Sequence, residues 1–171
     1  MKSLFLLAIA SSMMLHACGQ EDKSKRPSPP AQAKETIASG AVVTIDYSQP
    51  SVKGRTIGKD LEPKAGEVWR TGANEATVFE VSKAVKVEGK DLPAGKYGLF
   101  TIAGADEWTI IFNKTWKQWG AYNYKEADDA LRVKVKPGKA GSFAEKMTIT
   151  VGKDGVVTIL WGDLKVDFKV A

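Results

Sequence analysis

The chain has 171 residues, with 25 Lys and Arg against 20 Asp and Glu and a formal net charge of +5. Its single His (His16) and single Cys (Cys18) both lie near the N-terminus. Beyond Cys18 there is no imidazole and no thiol, which excludes Cys/His zinc sites, Ser-His-Asp triads, Cys-His nucleophiles and disulfides from the domain that follows. A metal would need all-oxygen ligands, and no EF-hand-like spacing of Asp and Asn occurs, so neither metal nor cofactor is expected. The lysines stand singly among apolar residues, the pattern of solvated strand faces and not of a nucleic-acid footprint.

Lys2 opens the chain as a positive n-region, and Leu4 to Leu15 form an uncharged apolar run. The run fits a secretory h-region of roughly 7–15 residues and falls short of the ~20 needed to span a bilayer. It ends in Leu15-His16-Ala17-Cys18, which reads as a lipobox with a thiol at the cut site, although His16 is unusual there. Residues 1–17 are therefore expected to be a lipoprotein signal peptide and Cys18 the acylated first residue of the mature chain, tied to the membrane by its lipid. Stable anchoring takes two or more acyl chains. Residues 19–40 are polar and proline-rich, with too little apolar surface to offset ordering, and are expected to form a disordered tether. Gly19 follows the cysteine in place of the Asp that retains some lipoproteins in an inner membrane, which favours the outer membrane and leaves the face open.

From Ala41 onward period-2 alternation dominates. Strands are expected over residues 41–47, 76–82, 84–88, 96–102, 108–113 and 131–135. Residues 89–95 and 104–106 carry turn chemistry, and Pro137-Gly138 stops the last of these strands. At the C-terminus, residues 147–151, 156–161 and 164–170 read as a three-strand meander, turned at 152–155 and again at Gly162-Asp163. The one helix-like stretch is 125–130, where Asp128-Asp129 with Arg132 is expected to make a local pair, Asp128 and Arg132 standing at i, i+4. Roughly eight to ten short strands spaced by Gly/Pro turns predict an antiparallel β-sandwich or jelly-roll-like barrel over 41–171.

Three patches break the alternation: Tyr47 to Arg55, Trp69 to Thr77, and Trp116 to Tyr124. In the second, Arg70 offers a donor fork, Asn74 both donors and acceptors, Glu75 an acceptor and Trp69 a flat face. That set suits a polyhydroxylated or carboxylated ligand such as a sugar, with Trp116, Trp119, Tyr122 and Tyr124 as a stacking platform and Arg55 as a second anion contact. The same residues have a structural reading. Arg70 and Glu75 would form an ion pair pinning a loop, Gly72 and Asn74 would take left-handed turn positions, Arg55 would pair within its loop, and the aromatics would fill the core.

The segments YSQPSVKGR, VWRTGANEAT and LPAGKYGLFTI, with EWTIIFNK, WGAYNY and the Asp129/Arg132 pair, resemble the uncharacterised-domain family numbered 2911 over nearly all of residues 41–171. The resemblance implies a secreted or lipid-anchored protein of the kind found largely in Bacteroidota, and implies no activity. Glu21-Asp22 resembles the acidic surface-export signal of lipoproteins in that group, and a solvated tether would read the same. The leading expectation is a lipid-anchored envelope binding module for a glycan or an envelope protein, with Arg55, Trp69, Arg70, Asn74, Glu75, Trp119 and Tyr122 as candidate contacts. A glycosidase-like hydrolase pairing Glu75 with Glu67, Asp106 or Asp128 at about 5–10 Å is an alternative, and a purely structural envelope-complex subunit is another.

Overall fold

The computed structural model describes residues 22–171, so the expected signal peptide and Cys18 lie outside the described residues. A 3₁₀ turn at Lys23–Lys25 opens the described chain, and Asp22 caps it by accepting from the Ser24 N–H at 3.1 Å. Eleven strands follow: β1 (Pro30–Thr36), β2 (Val42–Ser48), β3 (Val68–Trp69), β4 (Thr77–Val81), β5 (Val85–Val87), β6 (Lys90–Leu92), β7 (Gly95–Ile102), β8 (Trp108–Asn113), β9 (Asp129–Val135), β10 (Pro137–Val151) and β11 (Val156–Lys169). The main sheet runs β1-β2-β4-β7-β8-β9, with β3 also on β7, while β10-β11 and β5-β6 form two-stranded ribbons. Every strand pairing is antiparallel, so the all-β class expected from the alternation holds.

The alternation sets which face is buried. Val43, Ile45 and Tyr47 of β2 and Thr77, Phe79 and Val81 of β4 point inward, and their neighbours Thr44, Asp46, Val78 and Glu80 do not reach the core. The β10-β11 ribbon lays Met147, Ile149, Val157, Ile159, Val166 and Phe168 against that face in a sandwich-like packing. Phe79 meets Phe112 edge-on with centroids 4.9 Å apart, and Phe168 joins both at 6.3 and 6.0 Å. Edge-to-face pairs of this kind contribute about 0.5–1.5 kcal/mol beyond their buried area. The central strands β7 and β8 are covered on both faces, because Phe100 and Ile111 form a second cluster outside the sheet with Ala121 and Tyr124.

Three expectations are corrected. Residues 30–36, placed in a disordered tether, form edge strand β1 and pair with β2 in unbroken register from Pro30↔Ser48 to Thr36↔Val42. Its inward positions are Ala31 and Ala33, too small to show as an apolar period, and its proline sits at the first strand position, where the missing N–H is tolerated. The C-terminal meander has two strands and not three. Gly162 takes φ +60 inside β11 instead of turning it back, and the ladder shifts register around Ala144↔Gly162. Residues 164–166 therefore pair with Lys139, Gly138 and Pro137. The helix-like stretch is a 3₁₀ turn at Glu126–Asp128. Of the two acids expected to pair with Arg132, Asp129 does, accepting from Arg132 Nε at 2.5 Å, while Asp128 accepts from Thr115 Oγ1 at 2.9 Å.

Candidate functional site

The segment from Trp69 to Thr77 interrupts a strand line. Trp69 faces Thr101 and Thr77 faces Leu99 on the same neighbour β7, so residues 70–76 occupy the place of the one residue that would face Phe100. The excursion is built, not slack. Trp69 is buried and its Nε1 donates to the Gly72 carbonyl at 3.0 Å. Thr71 is buried at φ +52 and holds Thr101 Oγ1 at 3.2 Å, while its carbonyl accepts from Thr77 Oγ1 at 2.8 Å. A β-branched residue in left-handed backbone costs on the order of 1–3 kcal/mol and persists where its surroundings over-determine it, commonly at functional sites. Asn74 takes φ +59 as expected, but Thr71, not Gly72, is the other left-handed residue of the loop.

Two neighbouring segments complete the surroundings. Gly120 N–H donates to the Asn74 carbonyl at 3.0 Å and Ala76 N–H to the Gln118 carbonyl at 3.0 Å, tying in the loop that carries Trp116 to Tyr124. The N-terminal arm crosses on another side, where Asn74 Nδ2 donates to the Ser28 carbonyl at 2.9 Å. Glu75 pairs with this arm and not with Arg70: Lys23 Nζ lies 2.8 Å away, and Arg26 Nη1 reaches both carboxylate oxygens at 3.1 and 3.0 Å. The Arg26 guanidinium also sits 5.8 Å from the ring centre of the half-exposed Trp119. Partial burial pushes the Glu75 carboxyl up, yet the hydrogen bonds from Lys23, the backbone and Arg26 hold it down at about 2.

Of the residues expected to converge, Arg55, Trp69, Arg70 and Asn74 line one cleft of about 400 Å³, and Glu75, Trp119 and Tyr122 do not. Trp69 and Trp161 form part of its floor, and Trp161 Nε1 donates to the Glu62 carbonyl at 2.8 Å. The remaining wall comes from the loop after β2, which contributes Lys59, Asp60, Glu62 and Lys64. Asp60 accepts from the Thr56 N–H and Glu62 from the Lys64 N–H, each at 2.9 Å. Arg55 both lines the cleft and pins its own loop, donating from Nε to the Val52 carbonyl at 3.1 Å and from Nη2 to the Ser51 carbonyl at 2.7 Å. The four wall residues of 59–64 escaped sequence reading because a lysine- and carboxylate-rich loop is indistinguishable from solvated surface until something folds beneath it. Trp161 escaped because it lies within a strand far along the chain.

Arg70 differs from every other described arginine. Arg26 and Arg132 hold carboxylates and Arg55 holds carbonyls, but the Arg70 Nε is buried with no hydrogen-bond partner among the described residues. Burial pulls its pKa below the ordinary arginine value, against the opposing charges of Tyr122 and Glu62, and it remains a cation at neutral pH. No ring contact joins Trp116, Trp119, Tyr122 and Tyr124 to one another among the described residues. Trp116 has Lys96 and Lys117 ammonium groups 5.6 and 5.0 Å from its ring centre, Tyr124 packs on Phe100 at 5.1 Å, and Tyr122 is exposed. Of the carboxylates proposed for hydrolysis, Glu67, Asp106, Asp128 and Glu75 are all absent from the cleft lining, and Glu75 is ion-paired to Lys23 and Arg26.

A family model described as a protein of unknown function (DUF2911) matches residues 28–170. The chain belongs to this family. The match takes in β1 and Ser28, so the DUF2911 domain begins before residue 41, within the stretch expected to be tether. No curated protein and no solved structure matches the chain. Every residue of the cleft lies inside the DUF2911 match.

Proposed function

We propose that this DUF2911 domain is a lipid-anchored binding module of the cell envelope, which takes a polyhydroxylated or carboxylated ligand such as a sugar in the cleft around Arg70. The supporting observation is Arg70 itself. Its guanidinium lines the cleft and makes no salt bridge among the described residues, so its outer donors are left for a ligand. Asn74 adds polar contact on the wall, over a floor packed on the buried Trp69 and Trp161. The anchor rests on the uncharged run from Leu4 to Leu15 ahead of the lone Cys18, and the outer membrane is its destination.

The experiment is a thermal-shift and calorimetric screen of the mature domain against neutral and acidic sugars. Binding of at least one sugar, weakened by Arg70→Gln, is the expected result. If no sugar raises the melting temperature or gives a heat of binding, the cleft is not a saccharide site. For the anchor, mass spectrometry of the membrane-fraction protein should show acyl chains on Cys18, and Cys18→Ser should release the protein to the soluble fraction.

A further inference from the structure

We infer that the ligand presents an oxyanion, a carboxylate or a phosphate, and that Arg70 is the residue that selects for it; this rests on the cleft being the ligand site. The first support is Arg70, which lines the cleft and makes no salt bridge among the described residues, and whose two outer amino groups match two acceptor oxygens better than a single hydroxyl. The second is independent and comes from the charges around it. Arg55, Lys59, Lys64 and Arg70 all line the cleft, and none of the four makes a salt bridge among the described residues.

Asp60 and Glu62 on the same wall, each also accepting from a backbone N–H of its own loop, offset two of these four charges and leave an excess of two. That excess lies around one concavity with Arg70 in it and concentrates positive potential there. A neutral sugar would leave that potential, and the Arg70 donors, without an anionic partner.

The test is a titration of the mature protein with three probes: trigalacturonate for carboxylate, glucose 6-phosphate for phosphate and maltotriose as the neutral control. Binding is read by calorimetry and by the fluorescence of the tryptophans, two of which lie in the floor. At least one anionic probe should bind, and more weakly in about 200 mM than in about 20 mM salt, since the Debye length shortens across that range. Arg70→Gln should weaken it by about tenfold or more, and Arg70→Lys, which keeps the charge but loses the fork, should not fully restore it. Lys64→Ala, on an exposed loop position, should weaken it less and without changing the melting temperature. Whichever anionic probe binds identifies the oxyanion. Maltotriose binding as tightly as the acids, unaffected by Arg70→Gln, would overturn the charge selection while leaving a saccharide site standing. Failure of all three probes would overturn both.

Discussion

Arg70 and Thr71 sit side by side in the inserted loop, and each is locally unfavourable in a different way. Arg70 keeps a buried Nε unbonded, and Thr71 holds left-handed backbone against its branched side chain. If the arginine is retained for a ligand, removing it should not harm the empty protein. Arg70→Met is expected to leave stability unchanged or to raise it by up to about 1 kcal/mol, measured by urea unfolding, because it deletes an unsatisfied donor and keeps the aliphatic stem. Glycine shows the contrasting case of a purely structural constraint. Gly155 has φ +86, and a Cβ there would run into the Val170 carbonyl, so Gly155→Ala should cost at least about 2 kcal/mol in the same assay. The types of Arg70, Asn74 and Trp69 were legible as non-core chemistry in the sequence, since they broke the alternation together. That Glu75 would turn away from Arg70 was not legible, because its partners Lys23 and Arg26 lie in a stretch with no apolar period to suggest that it docks.

At the level of elements, the arm over residues 22–28 is tied to the domain by polar contacts in which the charge of Glu75 takes part. The Glu75 pKa is depressed from 4.5 to about 2, so the stabilisation it gives is present above about pH 4.5 and is lost as pH falls towards 2. The hydrogen-exchange protection of residues 22–29, taken relative to the intrinsic rate at each pH, should therefore fall across that window. Glu75→Gln should lower it already at pH 7, with little change in the protection of β8. Exchange that is insensitive to both would show that the arm is held by something other than Glu75. The pairs are partly exposed, so the global cost should stay within about 1 kcal/mol. Strands with bulky alternating residues, such as β2, β4 and β8, were readable because burial on one face imposes period 2 on large side chains. Strand β1 was missed because its inward residues are alanines, and β10 was underestimated because Gly138, Gly141 and Ser142 mask its first half.

Across the whole molecule, the sheet and the ribbon meet through Phe79, Phe112 and Phe168, and Phe112→Ala should cost about 3–5 kcal/mol. The N-terminal boundary follows from the same packing. Removing residues 22–40 strips β1 from β2 and exposes Val43 and Ile45 backbone on a new sheet edge, with buried Ala33 and Ile37 lost. A chain of residues 41–171 should melt lower than one of 28–171 and should aggregate on heating, as light scattering would record. The fold class was legible because antiparallel pairing and turns are local, whereas the cleft was only half legible. Its floor joins Trp69 to Trp161, and its wall joins the loop after β2 to the loop after β3, and no local pattern encodes such meetings. The central claim, an oxyanion bound by Arg70, is tested most directly at the donor itself, by following the Arg70 Nε–H in ¹H–¹⁵N spectra and assigning it by its loss in Arg70→Lys. Addition of the binding acid should shift that resonance and slow its exchange with water, while the Arg132 Nε–H, already bonded to Asp129, stays in place. An Arg70 resonance unmoved by saturating ligand would contradict it.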